Sequence, residues 1–366
     1  MSWPLPPGGL VGVLGGGQLG RMLAMAAAKL GLRTHIYAPE ADSPAFDASP
    51  RHTCAPYEDI AALRAFGAAV DVVTYEFENV PALSVAVLEE LAPVYPPRRA
   101  LAAAQDRLAE RRLLQSLGLP HAPFRFVEKG AAAGAAHQAL GGPAFLKKLR
   151  EGYDGRGQFR IEGEHDLAAA ADWLGDAPAI LEAAVPFAFE CSVIGARGAD
   201  GAAVFYPLTR NEHRDGILRT SIAPAGTPAL QEAAQDIAAR IMAELGYVGV
   251  IGVELFALEG GALMVNEIAP RVHNSGHWTL EACAVSQFEN HIRAVAGWPL
   301  GAPAQHSAAV MTNLIGDEVL SWRERLAAAG ASLHLYGKGE PRAGRKMGHY
   351  TALAPLPQER RAPTTR

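Results

Sequence analysis

A strand-like apolar run leads into a glycine-rich, charged loop in the segment Phe145-Leu-Lys-Lys-Leu-Arg-Glu-Gly-Tyr-Asp-Gly-Arg-Gly-Gln158. The closely spaced glycines let the backbone approach phosphate oxygens, and Lys147 on the preceding strand can reach a phosphate as a point charge. The loop has no Walker pattern, which excludes a P-loop. By itself the segment is explained equally well by an exposed hairpin with solvated charges, so its assignment depends on a second segment.

Acidic, basic and histidine side chains are concentrated in that second segment, Met264-Val-Asn-Glu-Ile-Ala-Pro-Arg-Val-His-Asn-Ser-Gly-His-Trp278. It begins inside a predicted hairpin with strands Val248–Leu258 and Ala262–Ile268. Gly260 and Gly261 form the two-residue centre of the predicted turn. The residues that face each other across the two strands can therefore be counted outward from this centre.

Glu254 and Glu267 form one such facing pair. Directly opposed residues have Cβ atoms about 5 Å apart, and like charges at that distance between apolar strands are destabilising unless a cation lies between them. Carboxylates with few other protein ligands suit Mg²⁺, which completes its shell with waters and substrate phosphates. The alternative is two glutamates on a solvated sheet face.

The N-terminal part alternates strands and helices, which predicts a parallel sheet with crossover helices. Residues 10–14 are a predicted buried strand, followed by a glycine turn and a helix over Arg21–Leu30. The next predicted elements are a strand over Arg33–Tyr37, a helix over Ile60–Phe66 and a strand over Val70–Tyr75. This unit is predicted to end near residue 99.

The first turn fits G-x-G-x-x-G through Gly15, Gly17 and Gly20. A dinucleotide site also needs an acid at the end of the second strand to hold ribose. Here that strand runs into Pro39, with Glu40 beyond it, so nicotinamide binding is disfavoured. We expect the loop to bind the phosphate of a smaller ligand; glycines required only for close strand–helix packing are the alternative.

Beyond residue 100 the pattern becomes mixed, with no internal repeat. The predicted helices are Leu101–Leu117, Leu230–Gly246 and Leu280–Ala296, and the further predicted strands are Phe124–Val127, Ala144–Leu149, Ile180–Ile194, Ala203–Leu208, Ala308–Ile315 and Ser332–Tyr336. We predict domains at 1–99, 100–300 (with a flexible central subdomain at about 120–190) and 301–366.

Composition excludes several classes of protein. The 366 residues carry a net charge of −5, which argues against nucleic acid as a partner. Cys54, Cys191 and Cys283 form no CxxC or Cys/His cluster, which disfavours disulfides and structural zinc. Neither a signal peptide nor an apolar run of membrane-spanning length is present, so we expect a cytoplasmic protein.

Two further regions are candidate ligand contacts. Glu182 and Glu190 lie near a predicted hinge, where backbone groups could read an adenine edge and a carboxylate could bind ribose. A basic cluster near the C-terminus is compact enough to hold one phosphate, although surface charge is the usual explanation for such a run; its members are Lys338, Arg342, Arg345 and Lys346.

The order of these features resembles the ATP-grasp superfamily, and within it the 5-(carboxyamino)imidazole ribonucleotide synthetases of purine biosynthesis. The shared stretches are GGGQLGRM (15–22), TYEFENVP (74–81), QDR (105–107), GYDGRGQ (152–158), VFYPLTRNEHRDGILRTS (204–221), NEIAPRVHNSGHW (266–278) and GRKMGH (344–349). The resemblance implies a mixed α/β fold, in which a Rossmann-like domain precedes an ATP-grasp domain and a small β-rich domain follows it.

The resemblance also implies a reaction. ATP phosphorylates bicarbonate to carboxyphosphate, and the amine of 5-aminoimidazole ribonucleotide captures the carboxyl group. The implied cofactors are ATP and two Mg²⁺ ions, with Mn²⁺ as a substitute, and the implied assembly is a homodimer without nucleic-acid or membrane partners. The glycine-rich loop is expected to close over the site and exclude water.

Site residues are carried over by position. Those implied to bind ATP are Arg107, Lys147, Gly152, Tyr153, Asp154, Gly155, Arg156, Gly157, Gln158, Glu182, Ala183, Ala184, Val185, Glu190, His213, Asn266 and Glu267. Those implied to bind the ribonucleotide and bicarbonate are Gly17, Gln18, Leu19, Glu76, Tyr153, Arg156, Arg271, His273, Asn274, Ser275, Lys338, Arg345 and Lys346. Glu254 and Glu267 are the implied metal ligands, and the implied catalytic residues are Arg271, Asp154 and His273.

One position departs from the superfamily pattern. Many ATP-grasp enzymes carry Asn two residues after the second metal-binding Glu, where this chain has Ala269, with Asn266 before the Glu instead. Three other functions remain open from the residues: a formate-dependent glycinamide ribonucleotide transformylase, a nicotinamide-dependent oxidoreductase, and a non-catalytic nucleotide-binding regulator.

Overall fold

The structure is a computed structural model that describes residues 4–150, 152 and 157–356. Its N-terminal part is a parallel sheet, as predicted, with strand order β3-β2-β1-β4. The strands are β1 (Leu10–Leu14), β2 (Arg33–Ala38), β3 (Arg51–Cys54) and β4 (Val72–Tyr75), and the helices are α1 (Gln18–Lys29), α2 (Ile60–Ala68) and α3 (Ala82–Glu89). The sequence analysis missed β3, because this short edge strand of largely exposed polar residues has no apolar alternation.

The single helix predicted over Leu101–Leu117 is wrong. The chain forms α4 (Arg98–Gln105) and α5 (Arg107–Ser116), and the residue between them, Asp106, has an extended backbone. Its carboxylate accepts hydrogen bonds from the N–H groups of Leu108 and Ala109. The helix breaks here because an Asp side chain satisfies the free N–H groups of a new helix start.

A small antiparallel sheet follows, with strand order β5-β8-β6-β7. Its elements are β5 (Phe124–Val127), α6 (Ala133–Leu140), β6 (Ala144–Lys148), β7 (Gln158–Ile161), α7 (Leu167–Leu174) and β8 (Ala179–Ala183). The glycine-rich loop joins β6 to β7. Lys147 and Glu182 lie on the neighbouring strands β6 and β8, which brings the two side chains to one place.

The remaining strands form one nine-stranded sheet with the order β14-β13-β9-β11-β12-β15-β17-β16, in which β10 pairs with β9. Its elements are β9 (Phe189–Arg197), β10 (Ala203–Phe205), β11 (Thr209–Arg214), β12 (Ile217–Ala223), α8 (Pro228–Leu245), β13 (Gly249–Ala257), β14 (Leu263–Ala269), α9 (Thr279–Ala282), α10 (Gln287–Val295), β15 (Ala308–Ile315), α11 (Trp322–Ala327), β16 (Ala331–Leu335) and β17 (Lys346–Ala354). Since β12 pairs with β15, the C-terminal strands extend the large sheet. The sequence analysis did not identify β11, β12 or β17.

The long helix predicted over Leu280–Ala296 is also wrong. The chain leaves the helical conformation at Cys283, which makes an isolated antiparallel bridge with Gln305. Helix α10 begins after Ser286, whose hydroxyl accepts the N–H of Glu289 at 3.2 Å. As at Asp106, a capping side chain inside an apolar run starts a second helix.

The turn of the β13–β14 hairpin is one residue longer than predicted. The N–H of Leu258 donates to the carbonyl of Ala262 at 2.9 Å, so the loop contains three residues, 259–261, and the register near the turn is shifted by one. A β-bulge at Asn266 removes the shift. The two displacements cancel, and Glu254 therefore faces Glu267 as predicted.

Helix α1 of the N-terminal part packs against α10 in a shared apolar core. Leu23 of α1 is fully buried there, with Phe288 and Ile292 of α10. The N-terminal sheet is thus fixed to the large sheet by buried side chains. Within the described residues, no helix is long and apolar enough to cross a bilayer.

We expect Leu23→Ala to lower the free energy of unfolding by about 2–5 kcal/mol, because it removes buried methyl groups and leaves a cavity. Met25→Ala on the same helix is the control, because Met25 is 53% exposed. Chemical denaturation of both variants measures the difference. Equal destabilisation by the two changes would contradict a core shared by α1 and α10.

Candidate active site

A cavity of about 790 Å³ opens where the three sheets meet. Most of the sequence-predicted site residues line it: Gln18, Leu19, Glu76, Arg107, Lys147, Gly152, Gln158, Glu182, Ala183, Ala184, Val185, Glu190, His213, Glu254, Asn266, Glu267, Arg271, His273, Asn274 and Lys346. Tyr153, Asp154, Gly155 and Arg156 lie outside the described residues. Gly17, Gly157, Ser275, Lys338 and Arg345 are described but are not among the residues that line the cavity.

One end of the cavity holds a buried cluster of charges around Glu182. Lys147 Nζ lies 2.6 Å from Glu182 Oε2, and the fully buried guanidinium of Arg111 contacts the other carboxylate oxygen. Burial opposes the charged carboxylate, but the two cations outweigh it and lower the pKa of Glu182 to about 2. Burial, Arg107 and Arg111 lower the pKa of Lys147. Lys147 is thus held at the cavity wall by an ionised partner.

An apolar slot lies next to this cluster. The rings of Phe187 and Phe256 are stacked with centroids 4.7 Å apart and an interplanar angle of 8°. Phe187 is 44% exposed although it lines the cavity. A planar aromatic ligand could lie against this surface, beside the backbone of Ala183 and Val185.

A histidine–carboxylate pair lies on β9 and β11. His213 Nδ1 is 2.5 Å from Glu190 Oε2. Burial lowers the pKa of His213, but the hydrogen bond to Glu190 and the charges of Glu254 and Glu267 outweigh it, so the pKa is raised. The pair can therefore present a positively charged imidazole to a phosphate.

The facing carboxylates Glu254 and Glu267 both line the cavity. Glu254 is 13% exposed and Glu267 is 43% exposed. Burial and the charge of Glu267 raise the pKa of Glu254 to about 8. Without a cation, this arrangement disfavours the ionised pair.

These two carboxylates fit Mg²⁺ better than a transition metal. No group of three or more His, Cys, Asp or Glu side chains among residues 4–150, 152 and 157–356 is arranged to hold a metal ion. Mg²⁺ is commonly bound by one or two carboxylates together with waters and substrate phosphates, whereas structural zinc takes four protein ligands.

Arg271 is held by a carboxylate that the sequence analysis missed. Its guanidinium makes a two-pronged ion pair with Glu78, in which Arg271 Nη2 lies 2.9 Å from Glu78 Oε1. Burial opposes both charges, but the pair raises the pKa of Arg271 and lowers that of Glu78. Such a fork is geometrically fixed, so Arg271 is presented to the cavity in one orientation.

The glycine-rich turn before α1 holds a protein carboxylate. Glu76 accepts hydrogen bonds from the N–H groups of Gly17 and Gly20. Gly15 has φ +110°, and a Cβ there would lie 2.3 Å from Glu76 Cγ. Two amides of this turn therefore bind Glu76, which disfavours a phosphate at these two N–H groups; phosphate binding by the loop stays a prediction.

The histidine-containing loop after β14 presents some predicted side chains to the cavity and withdraws others. Asn274 exchanges two hydrogen bonds with Asn313, at 3.0 and 2.8 Å. Ser275 is completely buried and contacts His273 instead of the cavity. Burial and the nearby cations lower the pKa of His273 well below its usual value, so the ring is neutral.

Comparison with known proteins gives the family. Three family models match: an ATP-grasp domain at residues 112–288, a ribonucleotide synthetase preATP-grasp domain at 9–105, and a phosphoribosylaminoimidazole carboxylase C-terminal domain at 309–362. The N5-carboxyaminoimidazole ribonucleotide synthase of Brucella melitensis is 50% identical over 96% of this chain and 98% of its own. The chain belongs to the N5-carboxyaminoimidazole ribonucleotide synthases. It is therefore an ATP-grasp ligase, and the resemblance seen in the sequence is confirmed.

Further relatives agree with this family. The synthase of Pseudomonas aeruginosa is 47% identical over 93% of both chains. A solved ADP complex of an N5-carboxyaminoimidazole ribonucleotide synthetase has a TM-score of 0.93 with 38% identity, covering 96% of this chain and 94% of the other. The Aspergillus clavatus enzyme in complex with ADP and 5-aminoimidazole ribonucleotide has a TM-score of 0.90 with 34% identity, covering 95% and 94%.

The sequence offered weak signals for the missed site residues. Glu78 is in the quoted TYEFENVP stretch, two residues after Glu76, but only the fold brings it to Arg271. Arg111 lies one turn after Arg107 on α5, on a helix that reads as charged and exposed. Phe187 and Phe256 are far apart in sequence, so their stacking could not be anticipated.

The raised pKa of Glu254 predicts a pH-dependent stability. Between the usual value of 4.5 and about 8, the native state of the metal-free protein holds a proton that the unfolded state releases. Stability therefore falls as the pH rises through this window, by up to about 1.4 kcal/mol per pH unit. We expect Glu254→Gln to be more stable than wild type near pH 8 and to lose this advantage near pH 5, as measured by denaturation with a chelator present.

The control for this prediction is Glu259→Gln, at an exposed position in the turn of the same hairpin. It removes one carboxylate without touching the facing pair, so its stability relative to wild type is expected to stay constant between the two pH values. If Glu254→Gln is no more stable than wild type near pH 8, the facing carboxylates do not destabilise the metal-free protein.

Proposed function

We propose that this chain uses ATP and bicarbonate to carboxylate 5-aminoimidazole ribonucleotide, giving N5-carboxyaminoimidazole ribonucleotide, ADP and phosphate. The observation that supports this most is a single cavity with three kinds of lining. Lys147 and the stacked rings of Phe187 and Phe256 form one part of the lining, the facing carboxylates form another, and Arg271 and Lys346 add positive charge. A triphosphate and a smaller anionic substrate can therefore meet over the carboxylates.

Glu254 and Glu267 would hold Mg²⁺, with two ions as the expected number and Mn²⁺ as a substitute. The bound ions would neutralise charge on the phosphate oxygens. The protein contributes further positive charge around them. Arg107 Nη1 lies 3.9 Å from Glu267 Oε2, at the limit of an ion pair, and would also contact a phosphate bound there.

The roles of the remaining residues follow from charge and position. Phosphoryl transfer requires positioning and charge neutralisation more than a protein nucleophile, so we expect no covalent intermediate on the enzyme. Lys147 and His213 would bind ATP phosphates. Arg271, fixed by Glu78, would stabilise the charge that develops on carboxyphosphate.

Glu76 would bind the ribose of the second substrate. Its two oxygens are oriented by the amides of Gly17 and Gly20, and the side chain lines the cavity. Each carboxylate oxygen retains a second acceptor site for a hydroxyl group. The phosphate of this substrate would then lie toward Lys346 instead of the glycine turn.

A homodimer and a cytoplasmic location stay predictions from the resemblance.

ATP hydrolysis with defined substrates tests the proposal. We expect ADP formation to require 5-aminoimidazole ribonucleotide together with bicarbonate and to give the carboxyamino product in equal amount. Glycinamide ribonucleotide with formate is the matched comparison, since it is the substrate pair of another ATP-grasp purine enzyme. Strong ADP formation with that pair, and none with aminoimidazole ribonucleotide, would overturn the proposal.

Glu267→Gln should reduce kcat by at least about a hundredfold, because it removes one charge from the only facing carboxylate pair that the described residues bring to the cavity wall. Steady-state kinetics at saturating ATP and Mg²⁺ measure the change. The exposed turn variant Glu259→Gln should retain wild-type turnover. Unchanged turnover in Glu267→Gln would favour a non-catalytic nucleotide-binding protein.

A further inference from the structure

A buried asparagine of the C-terminal strands holds the side chain of Asn274. Asn313 lies on β15 and is completely buried. Its Nδ2 donates to the backbone carbonyl of Leu218 at 2.9 Å and to Asn274 Oδ1 at 2.8 Å. Its Oδ1 accepts a hydrogen bond from Asn274 Nδ2 at 3.0 Å. Asn313 thus connects the cavity-lining loop after β14 to strands β12 and β15.

The carbonyl of Leu218 fixes the orientation of both amides. A backbone carbonyl can only accept a hydrogen bond, so the group of Asn313 that faces Leu218 is its NH₂ group. The oxygen of each asparagine then faces the NH₂ group of the other. Turning either amide over would oppose like groups and leave buried polar atoms unpaired.

The NH₂ group of Asn274 also donates to His277, with Asn274 Nδ2 lying 3.1 Å from His277 Nδ1. An amide NH₂ group has two protons, and an amide oxygen has two lone pairs. Both protons of Asn274 are therefore used within the protein. Among residues 4–150, 152 and 157–356, its oxygen accepts one hydrogen bond, from Asn313. The hydrogen-bonding capacity that this side chain retains is one lone pair of Oδ1.

That lone pair limits what Asn274 can bind in the cavity that it lines. It accepts from an N–H or O–H group, and it cannot donate to an oxygen of a phosphate. Arg271, three positions earlier on the same loop, is the residue proposed above to stabilise carboxyphosphate. Since Glu76 would take the ribose hydroxyls, the exocyclic amine is the donor of the second substrate that has no assigned partner.

We propose that Asn274 Oδ1 accepts a hydrogen bond from the exocyclic amine of 5-aminoimidazole ribonucleotide, and that Asn313 is the positioning residue that keeps this oxygen available. The inference rests on the proposed function, because it takes this ribonucleotide as the substrate. An amine that donates one N–H to a neutral amide keeps its lone pair for the carboxyl carbon. The contact strengthens as positive charge develops on the attacking nitrogen.

Calorimetry with two ribonucleotides tests this contact. The probes are 5-aminoimidazole ribonucleotide and imidazole ribonucleotide, which lacks the amine. We expect Asn274→Ala and Asn313→Ala to lower the preference for the aminated ligand roughly fivefold, the effect of one hydrogen bond, with little change in the affinity for imidazole ribonucleotide. A preference that stays unchanged in both variants, even where both ligands bind more weakly, would overturn the proposal.

The matched control is Asn290→Ala. Asn290 is also completely buried, and its amide makes three hydrogen bonds, to Tyr206 and Gly301. It lies in α10 and is not among the residues that line the cavity. This variant should keep the wild-type preference. An equal loss of preference in Asn290→Ala and Asn313→Ala would contradict a specific role of Asn313.

NMR of the wild-type enzyme tests the orientation of the amide without a substitution that could prevent folding. Both side-chain amide protons of Asn274, assigned through its backbone, should exchange slowly with solvent because each is hydrogen-bonded. Adding 5-aminoimidazole ribonucleotide should shift the resonance of the side-chain carbonyl carbon, and imidazole ribonucleotide should not. Rapid exchange of either amide proton in the ligand-free enzyme would overturn the proposal.

These measurements separate the inference from the proposed function. If neither ribonucleotide binds to the wild type, the proposed function fails and the amine contact fails with it, whatever the exchange rates of the amide protons. If the enzyme carboxylates 5-aminoimidazole ribonucleotide but its preference for the amine does not depend on Asn274, the proposed function stands and the inference alone is overturned.

Discussion

Two carboxylates that face each other across one hairpin set the chemistry of this molecule. Glu254 and Glu267 are brought together by backbone pairing alone, and burial makes their joint ionisation costly. Within residues 4–150, 152 and 157–356, Glu267 is paired with Arg107 at 3.9 Å, the limit of an ion pair. The mutual repulsion would be relieved by a divalent cation, which is the role proposed above for Mg²⁺.

Buried Arg111 links this pair to the charged cluster around Glu182. Arg111 donates to the carbonyl of Asn266, the residue in the β-bulge, and to the carboxylate of Glu182. A single buried guanidinium thus connects the bulge that aligns the carboxylates with the small sheet that carries Lys147. If the bulge were lost, a one-residue slip would turn the side chain of Glu267 to the other face of the sheet. The position of Lys147 and the alignment of Glu254 with Glu267 therefore depend on one another.

The sequence alone predicts the elements that depend on local patterns of residues, and those that the family resemblance covers. The parallel sheet, the β13–β14 hairpin and the position of Lys147 follow from alternation and turn chemistry. The carboxylate pairing was predicted correctly from a turn that is one residue too short, because the bulge at Asn266 compensates. Capping at Asp106 and Ser286 divides two apolar-periodic stretches that read as single helices. Contacts between distant segments, such as Glu78 with Arg271, depend on packing that periodicity does not encode.

The glycine turn before α1 has the backbone of a phosphate-binding motif, but its N–H groups bind a protein carboxylate instead. Free N–H groups at a helix start attract phosphate, as in dinucleotide-binding turns. In this chain Glu76 occupies them, and its own negative charge then repels a second anion. Burial raises the pKa of Glu76 despite the two amide hydrogen bonds, so burial disfavours the charged form while the amides hold the side chain in position. The turn thus fixes the position of Glu76 on the cavity lining, to which Lys346 contributes a positive charge.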